Sequence, residues 1–214
     1  DVGITTADMA IVNTETNYVA GLDGKSGDPS PLTAYGVFKG IKAAVLHKFG
    51  LNHLTGLSVS VQGVGHVGYY LCKHLHEAGV KLIVTDINAE SIARVVKEFG
   101  ATPVTIDDIY DQDVDIYSPC ALGATINDET INRLKCKIIG GAANNQLAED
   151  RHGDELMKKG ILYAPDYVIN AGGIINISFE ENYHLETAME KIDEIYDTLM
   201  EVFDTSAREG NTTN

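Results

Sequence analysis

The chain has 214 residues, of which 44% are hydrophobic and 22% charged, a composition typical of a soluble globular protein with a packed core. Its 16 basic and 31 acidic residues give a formal net charge of -15, which argues against binding to nucleic acid or anionic membranes, and no apolar run approaches the length of a membrane span. Three cysteines without metal-ligand spacing indicate neither a disulfide framework nor a metal site, so we expect a protein of the reducing cytoplasm.

The first 30 residues are rich in polar residues and glycine and predict little regular structure. A chain that starts with Asp1 rather than methionine suggests a fragment of a longer protein. Residues 6–9 suit the cap of a short helix that continues through Val12, and residues 21–30 indicate a loop. We interpret residues 1–30 as a hinge segment that leads into the main domain.

A long helix is predicted from the Pro29-Ser30-Pro31 sequence to Gly50, because proline suits the first turn and apolar residues follow at helical spacing. Thr33, near the start of this helix, has two interpretations: a capping hydroxyl or a contact to a ligand. Spacing alone leaves both open.

A glycine-rich turn joins the next predicted strand, residues 57–61, to the helix that follows it. Glycines at G-x-G-x-x-G spacing permit a tight turn, a close approach of backbone to a pyrophosphate, and close packing of helix on strand. The N-terminus of the helix adds unpaired N–H groups for the phosphates. The candidate cofactor loop comprises Gly63, Val64, Gly65, His66, Val67 and Gly68.

An acid ends the second predicted strand, residues 81–86. Asp86 stands 18 residues after Gly68, where a carboxylate accepts hydrogen bonds from the ribose hydroxyls of NAD. The acid would repel a 2′-phosphate, and Ile87 and Asn88 after it supply no cation, so NAD is favoured over NADP. Two alternatives stay open: a glycine-rich turn that binds nothing, and a methyltransferase that binds S-adenosylmethionine in a similar cleft.

Strands and helices alternate through the rest of the chain, which predicts an α/β, Rossmann-like doubly wound, mostly parallel sheet with helices on both faces. Ligands of such sheets bind at the carboxyl ends of the strands, where Gly63, Asp86, Cys120 and Asn144 fall. Helices are expected at residues 89–99, 128–134, 149–159 and 183–208, and strands at residues 101–105, 115–119, 137–140 and 161–164.

Seven sequence blocks, in order along nearly the whole chain, resemble the amino acid dehydrogenase superfamily of glutamate, leucine, phenylalanine and valine dehydrogenases, and within it most closely the leucine dehydrogenases. The blocks are residues 1–3, 29–36, 62–65, 84–88, 118–123, 141–146 and 164–173.

This resemblance implies a reversible oxidative deamination of leucine and other branched-chain amino acids. Hydride leaves the amino acid Cα for NAD, the imine takes up water, and ammonia leaves to give a 2-oxo acid. The resemblance also implies an NAD-binding Rossmann domain at residues 31–182, a truncated C-terminal helix at residues 183–214, and a missing preceding domain that carries the catalytic lysines. We therefore expect this chain alone to bind cofactor without turning over its small-molecule substrate, and the full-length enzyme to be a homo-oligomer.

The resemblance assigns roles to individual residues. It places the proton-exchanging carboxylate on Asp1, for which a frayed terminal aspartate is the alternative. It matches Thr33 to a contact with the nicotinamide carboxamide, and the backbone of Cys120 and Ala121 to the wall beside the nicotinamide ribose. Because no base is spaced to activate it, we interpret the Cys120 thiol as structural.

Further residues are matched to the nicotinamide and substrate end of the cleft. Asn144 would contact the nicotinamide end and Asn170 would lie beside the substrate. Ile174 and Ile177 would line an aliphatic substrate pocket, although both could equally be core residues. His66 is either close to the pyrophosphate or an ordinary loop residue.

Other functions remain as alternatives. A phenylalanine or valine dehydrogenase would share the same blocks. A noncatalytic NAD-sensing module would need only the glycine turn and Asp86, whereas the blocks around Thr33 and Asn144 point to the nicotinamide end.

Overall fold

The computed structural model describes residues 4–179 and 183–214. Its centre is a sheet of six parallel strands in the order β3-β2-β1-β4-β5-β6. The strands are β1 (Ser58–Gln62), β2 (Lys81–Thr85), β3 (Thr102–Pro103), β4 (Ile116–Pro119), β5 (Ile138–Ile139) and β6 (Leu162–Tyr163). The chain reverses its winding direction between β1 and β4, so the predicted doubly wound α/β fold is confirmed.

Helices enclose this sheet, and those predicted at residues 89–99, 149–159 and 183–208 lie within two residues of their predicted bounds. The helices are α1 (Thr6–Val12), α2 (Ser30–Phe49), α3 (His66–Glu77), α4 (Ala89–Phe99), α5 (Arg151–Lys158), α6 (Asp166–Ile169), α7 (Gly172–Ser178) and α8 (Leu185–Glu209), with a 3-10 turn at Asp108–Asp111. Within the described residues, no helix is long and apolar enough to cross a membrane.

The core has two layers because alternate side chains of a strand point to opposite faces. Ile116 and Ile138 pack on one face with α2, α3 and α8. Their strand neighbours Tyr117 and Ile139 pack on the other face with Leu156 of α5. Both faces of the sheet are therefore covered, as the alternation of strands and helices predicts.

Two helices end at the glycines that the sequence predicted as their ends. Gly50 after α2 and Gly100 after α4 have φ angles of 68° and 66°, the left-handed conformation that glycine adopts at low cost. At the first helix the cap is Thr5, whose hydroxyl accepts from the Asp8 N–H, one residue before the predicted position.

The helix predicted at residues 128–134 is wrong, because this segment forms turns. The Asn127 side chain accepts hydrogen bonds from the N–H groups of Glu129 and Thr130, and the Thr130 hydroxyl donates to the Thr125 carbonyl. Such side-chain bonds satisfy the backbone locally and compete with a helix. The predicted third, fifth and sixth strands are also shorter than expected, at two residues each.

Candidate functional site

The glycine loop connects β1 to α3 at the middle of the sheet, and steric contacts explain its spacing. Gly63 has a φ angle of 95°, and a Cβ there would lie 2.8 Å from the Cβ of Ala121. A Cβ on Gly68 would lie only 2.0 Å from the Gly63 carbonyl oxygen. A Cβ on Gly65, in contrast, would meet no atom of the described residues within 4 Å. The first and third glycines are therefore required by packing, and the second leaves open space for a ligand.

This open space fits a dinucleotide phosphate. Gly65 and His66 are exposed, and His66 begins α3, so the unpaired N–H groups of the helix start face the solvent side of the loop.

Asp86 lies directly beside the same loop. Its Oδ2 accepts from the Val64 N–H at 2.7 Å, and its Oδ1 accepts from the Asn88 N–H at 2.8 Å. Because each carboxylate oxygen has a second lone pair, Asp86 keeps the capacity to accept from ribose hydroxyls. The adjacent Ile87 is 91% exposed and presents an apolar surface beside the acid.

Cys120 and Ala121 follow β4 and form the wall opposite the glycine loop. The Cys120 N–H donates to the Gln62 carbonyl at 2.7 Å, which holds this backbone against β1. The Cys120 Sγ lies 3.5 Å from the Ser118 hydroxyl, and burial raises the pKa of the thiol. A thiol that resists ionisation is a poor nucleophile, which favours the structural interpretation of Cys120.

Asn144 and Asn170 meet at the carboxyl end of β5. The Asn170 side-chain amide donates to Asn144 Oδ1 at 2.5 Å and to the Ala142 carbonyl at 3.2 Å. Asn144 is exposed, and because its Oδ1 is engaged, its NH₂ group is the part left for a ligand.

Thr33 lies within the first turn of α2. The interpretation of its side chain as a capping hydroxyl is wrong. Its hydroxyl donates to the Pro29 carbonyl at 2.9 Å instead of accepting from a backbone N–H. A Cβ on Gly173 would lie 2.4 Å from the Thr33 Oγ1, and one on Gly172 would lie 2.3 Å from the Leu32 carbonyl oxygen. The adjacent glycines therefore let α7 lie against the start of α2.

The two candidate pocket isoleucines lie in different surroundings. Ile174 is 64% exposed, so its interpretation as a core residue is wrong. Ile177 is half-buried and lines a cavity of about 350 Å³ together with Met9, Pro29 and His66. The structure thus joins Ile177 to the glycine loop across one cavity. Asp1 lies outside the described residues.

The sequence analysis missed Gln146, which is fully buried within the loop after β5. Its side-chain amide donates to the carbonyls of Gly141 and Ala143. The available signal was a third amide residue placed directly between Asn145 and the apolar Leu147, because an amide that is buried requires partners.

A second polar cluster, formed by Asp128, His152 and Glu155, has spacing suited to a metal ion. The His152 Nδ1 accepts from the Glu149 N–H at 3.0 Å, which leaves the ring proton on Nε2, facing Asp128. Arg151 pairs with both carboxylates, at 2.7 and 3.0 Å. A metal would need the lone pair of Nε2 and would have to displace a cation, so the geometry favours an ion-pair cluster.

The fold and the glycine loop define the class of this protein as a Rossmann-like α/β domain. Its strands have the order of dinucleotide-binding folds, and the glycine loop follows the central strand β1. The family model for Glutamate/Leucine/Phenylalanine/Valine dehydrogenase matches residues 24–212, and the chain belongs to this family.

Relatives with curated names agree with this assignment. The chain is 59% identical over 214 residues to leucine dehydrogenase of Thermoactinomyces intermedius, covering 98% of this chain and 58% of that protein. It is 50% identical over 216 residues to L-tryptophan dehydrogenase of Nostoc punctiforme, covering 100% of this chain and 61% of that protein. The chain thus spans about three fifths of the length of these relatives.

Solved structures show the same fold. The crystal structure of L-tryptophan dehydrogenase from Nostoc punctiforme matches with a TM-score of 0.85 and 50% identity, over 86% of this chain and 57% of that one. A hetero-hexameric glutamate dehydrogenase from Thermus thermophilus matches with a TM-score of 0.78 over 100% of this chain and 59% of that one, at 16% identity, which supports the fold alone.

Proposed function

We propose that this chain is the NAD-binding domain of an L-amino acid dehydrogenase that oxidatively deaminates leucine and other branched-chain amino acids. The observation that carries the proposal is the hydrogen bond between Asp86 and Val64, which sets a ribose-binding acid beside an open phosphate loop in a chain 59% identical to a leucine dehydrogenase. We assign residues 31–182 to the NAD-binding domain, with residues 1–30 as a hinge and residues 183–214 as the C-terminal helix.

The proposed cofactor path runs along the carboxyl ends of the strands. The N–H groups at the start of α3 bind the pyrophosphate, and Asp86 accepts from the ribose hydroxyls. Ala121 bounds the nicotinamide ribose, while Thr33 and Asn144 orient the nicotinamide carboxamide. The chemistry that NAD supplies when bound is acceptance of hydride from the substrate Cα.

NAD is the proposed cofactor in preference to NADP because a carboxylate at Asp86 repels a 2′-phosphate. The substrate amine is proposed to exchange its proton with Asp1, and Asn170 lies at the substrate side of Asn144. The apolar side chains of Ile174 and Ile177 favour an aliphatic substrate, since a glutamate pocket needs polar or cationic groups.

A second candidate is an enzyme specific for an aromatic amino acid. The 50% identity to an L-tryptophan dehydrogenase supports it, and so does the 43% identity to phenylalanine dehydrogenase of Caldalkalibacillus thermarum. The relative rates of the intact protein on branched-chain and on aromatic amino acids test which of the two classes of substrate it takes.

Two measurements test the proposal. Titration of this chain with NADH and NADPH, followed by nicotinamide fluorescence, is expected to show a clear preference for NADH; the absence of tryptophan makes this signal easy to separate from the protein's own. The intact protein that contains this chain should oxidise leucine, valine and isoleucine faster than phenylalanine or tryptophan.

We propose that the 214-residue chain alone is inactive, that the intact enzyme is a homo-oligomer, and that it works in the cytoplasm. Leucine turnover by the chain alone contradicts the inactivity.

A further inference from the structure

Gln146 combines complete burial with a fully used set of side-chain donors. Its exposed fraction is 0%. The Nε2 atom donates to the Gly141 carbonyl at 2.9 Å and to the Ala143 carbonyl at 3.0 Å. The side chain therefore closes the loop after β5 into a fixed shape, and both carbonyls belong to buried residues that would lose a partner without it.

The backbone of Gln146 extends this connection to two neighbouring loops. Its N–H donates to the Asp166 Oδ2 at 3.2 Å, just after β6. Its carbonyl accepts from the Ile126 N–H at 3.0 Å, in the segment after β4. One buried residue thus joins the loops that follow three adjacent strands.

The exposed residue held by this arrangement is Asn144. Asn145, between Asn144 and Gln146, has a φ of 51°, a left-handed conformation that is uncommon for a residue other than glycine and that persists only where surrounding contacts hold it. A Cβ on Gly123 would lie 2.6 Å from the Asn144 carbonyl oxygen, so the loop also lies tightly against the segment after β4. The orientation of Asn144 therefore depends on the loop shape that the Gln146 amide fixes.

We propose that Gln146 is a positioning residue that sets Asn144 toward the nicotinamide end of the bound dinucleotide. This inference rests on the proposed function, because it requires a nicotinamide beside Asn144. Gln146 does not touch the cofactor itself and acts only through the loop.

The test compares two ligands that differ only at the end in question. The dissociation constants of NADH and of ADP-ribose, which lacks the nicotinamide, are measured on the 214-residue chain and on its Gln146→Met variant. The substitution keeps the volume of the side chain and removes both donors. We expect NADH binding to weaken by about tenfold, the loss of one hydrogen-bonded group, and ADP-ribose binding to change less than about twofold.

A matched control and a double variant separate positioning from general stability. Gln112 also donates to a backbone carbonyl, that of Asp108, and Gln112→Met should leave both affinities unchanged. Asn144→Ala should reproduce the selective loss for NADH. Adding Gln146→Met to Asn144→Ala should then weaken NADH binding little further, because two residues that act through one contact are not additive.

Several outcomes overturn the inference. Equal weakening of NADH and ADP-ribose, or full additivity with Asn144→Ala, assigns Gln146 a structural role only. If the unaltered chain binds NADH and ADP-ribose equally well, this loop does not face a nicotinamide and the inference fails. If the unaltered chain binds neither ligand, the proposed cofactor function itself fails, which distinguishes that result from a failure of the inference alone. Should Gln146→Met not fold, Gln146→Leu removes the same donors without burying a charge and gives the same comparison.

Discussion

The Asp86 carboxylate accepts a 2.7 Å hydrogen bond from the Val64 N–H, so the acid that ends β2 is held against the glycine loop that ends β1. This bond orients a charged acceptor at the place where a ribose would lie in a dinucleotide-binding fold.

Asp86→Asn should lower the preference of the chain for NADH over NADPH. Asparagine retains an oxygen for the Val64 N–H but loses the negative charge, which removes both the strong acceptor for ribose and the repulsion of a 2′-phosphate. A hydrogen bond to a charged group is worth about 1.5 kcal/mol or more. The dissociation constant for NADPH divided by that for NADH should therefore fall at least about tenfold. Asp108→Asn, on the exposed 3-10 turn, serves as the control, and an unchanged ratio for Asp86→Asn would refute the role of the acid.

Gly68→Ala should strongly destabilise the fold. Its methyl group would lie 2.0 Å from the backbone oxygen of Gly63, which cannot move without distorting the loop. We expect a loss of about 1 to 3 kcal/mol or more in the free energy of unfolding, measured by urea denaturation.

Gly65→Ala is the matched comparison, because its methyl group meets no described residue within 4 Å. Its stability should change by less than about 1 kcal/mol, whereas NADH binding should weaken because the methyl group occupies the approach of the pyrophosphate. Normal NADH affinity in this variant would show that the phosphates lie elsewhere.

His74 should make the stability of the protein depend on pH near neutrality. Burial lowers the pKa of the His74 ring, which stacks on Phe38 at a centroid distance of 5.4 Å. The unfolded ring takes up its proton first as the pH falls below about 6.5, so this contribution is fully present above that pH and is lost on acidification toward the folded pKa. Urea denaturation between pH 5 and 8 should show a weaker pH dependence for His74→Phe, but not for His53→Gln at an exposed site.

Ile177→Ala should shift substrate choice in the intact protein. Removing three carbons from the wall of the cavity shared with His66 and Met9 creates space for a larger side chain and removes contact with an aliphatic one. Pocket contacts of this size change the activation free energy by about 1 to 3 kcal/mol, so kcat/KM for leucine should fall relative to that for phenylalanine. Ile106→Ala, at an exposed position, is the control; equal effects on both substrates would place Ile177 outside the substrate pocket.

Local pattern predicted most elements of this fold. Pro31 in its first turn and Gly50 after its end predict α2, whereas a strong apolar period and Gly100 predict α4. The glycine loop with Asp86 follows from residues close together in sequence. The pattern failed at residues 128–134, where side chains of Asn127 and Thr130 replace helical hydrogen bonds. It also missed α6 and α7, which are short helices stabilised by packing rather than by their own periodicity.

The sequence by itself determined the fold class and the glycine loop, because both depend on periodicity and on spacing within one βαβ unit. Only the tertiary structure decided how Gly173 meets Thr33, how Ile177 shares a cavity with His66, and how Gln146 joins three loops. These contacts connect residues that are far apart in the chain, and their geometry arises from the packing of parallel strands whose carboxyl ends converge at one edge of the sheet.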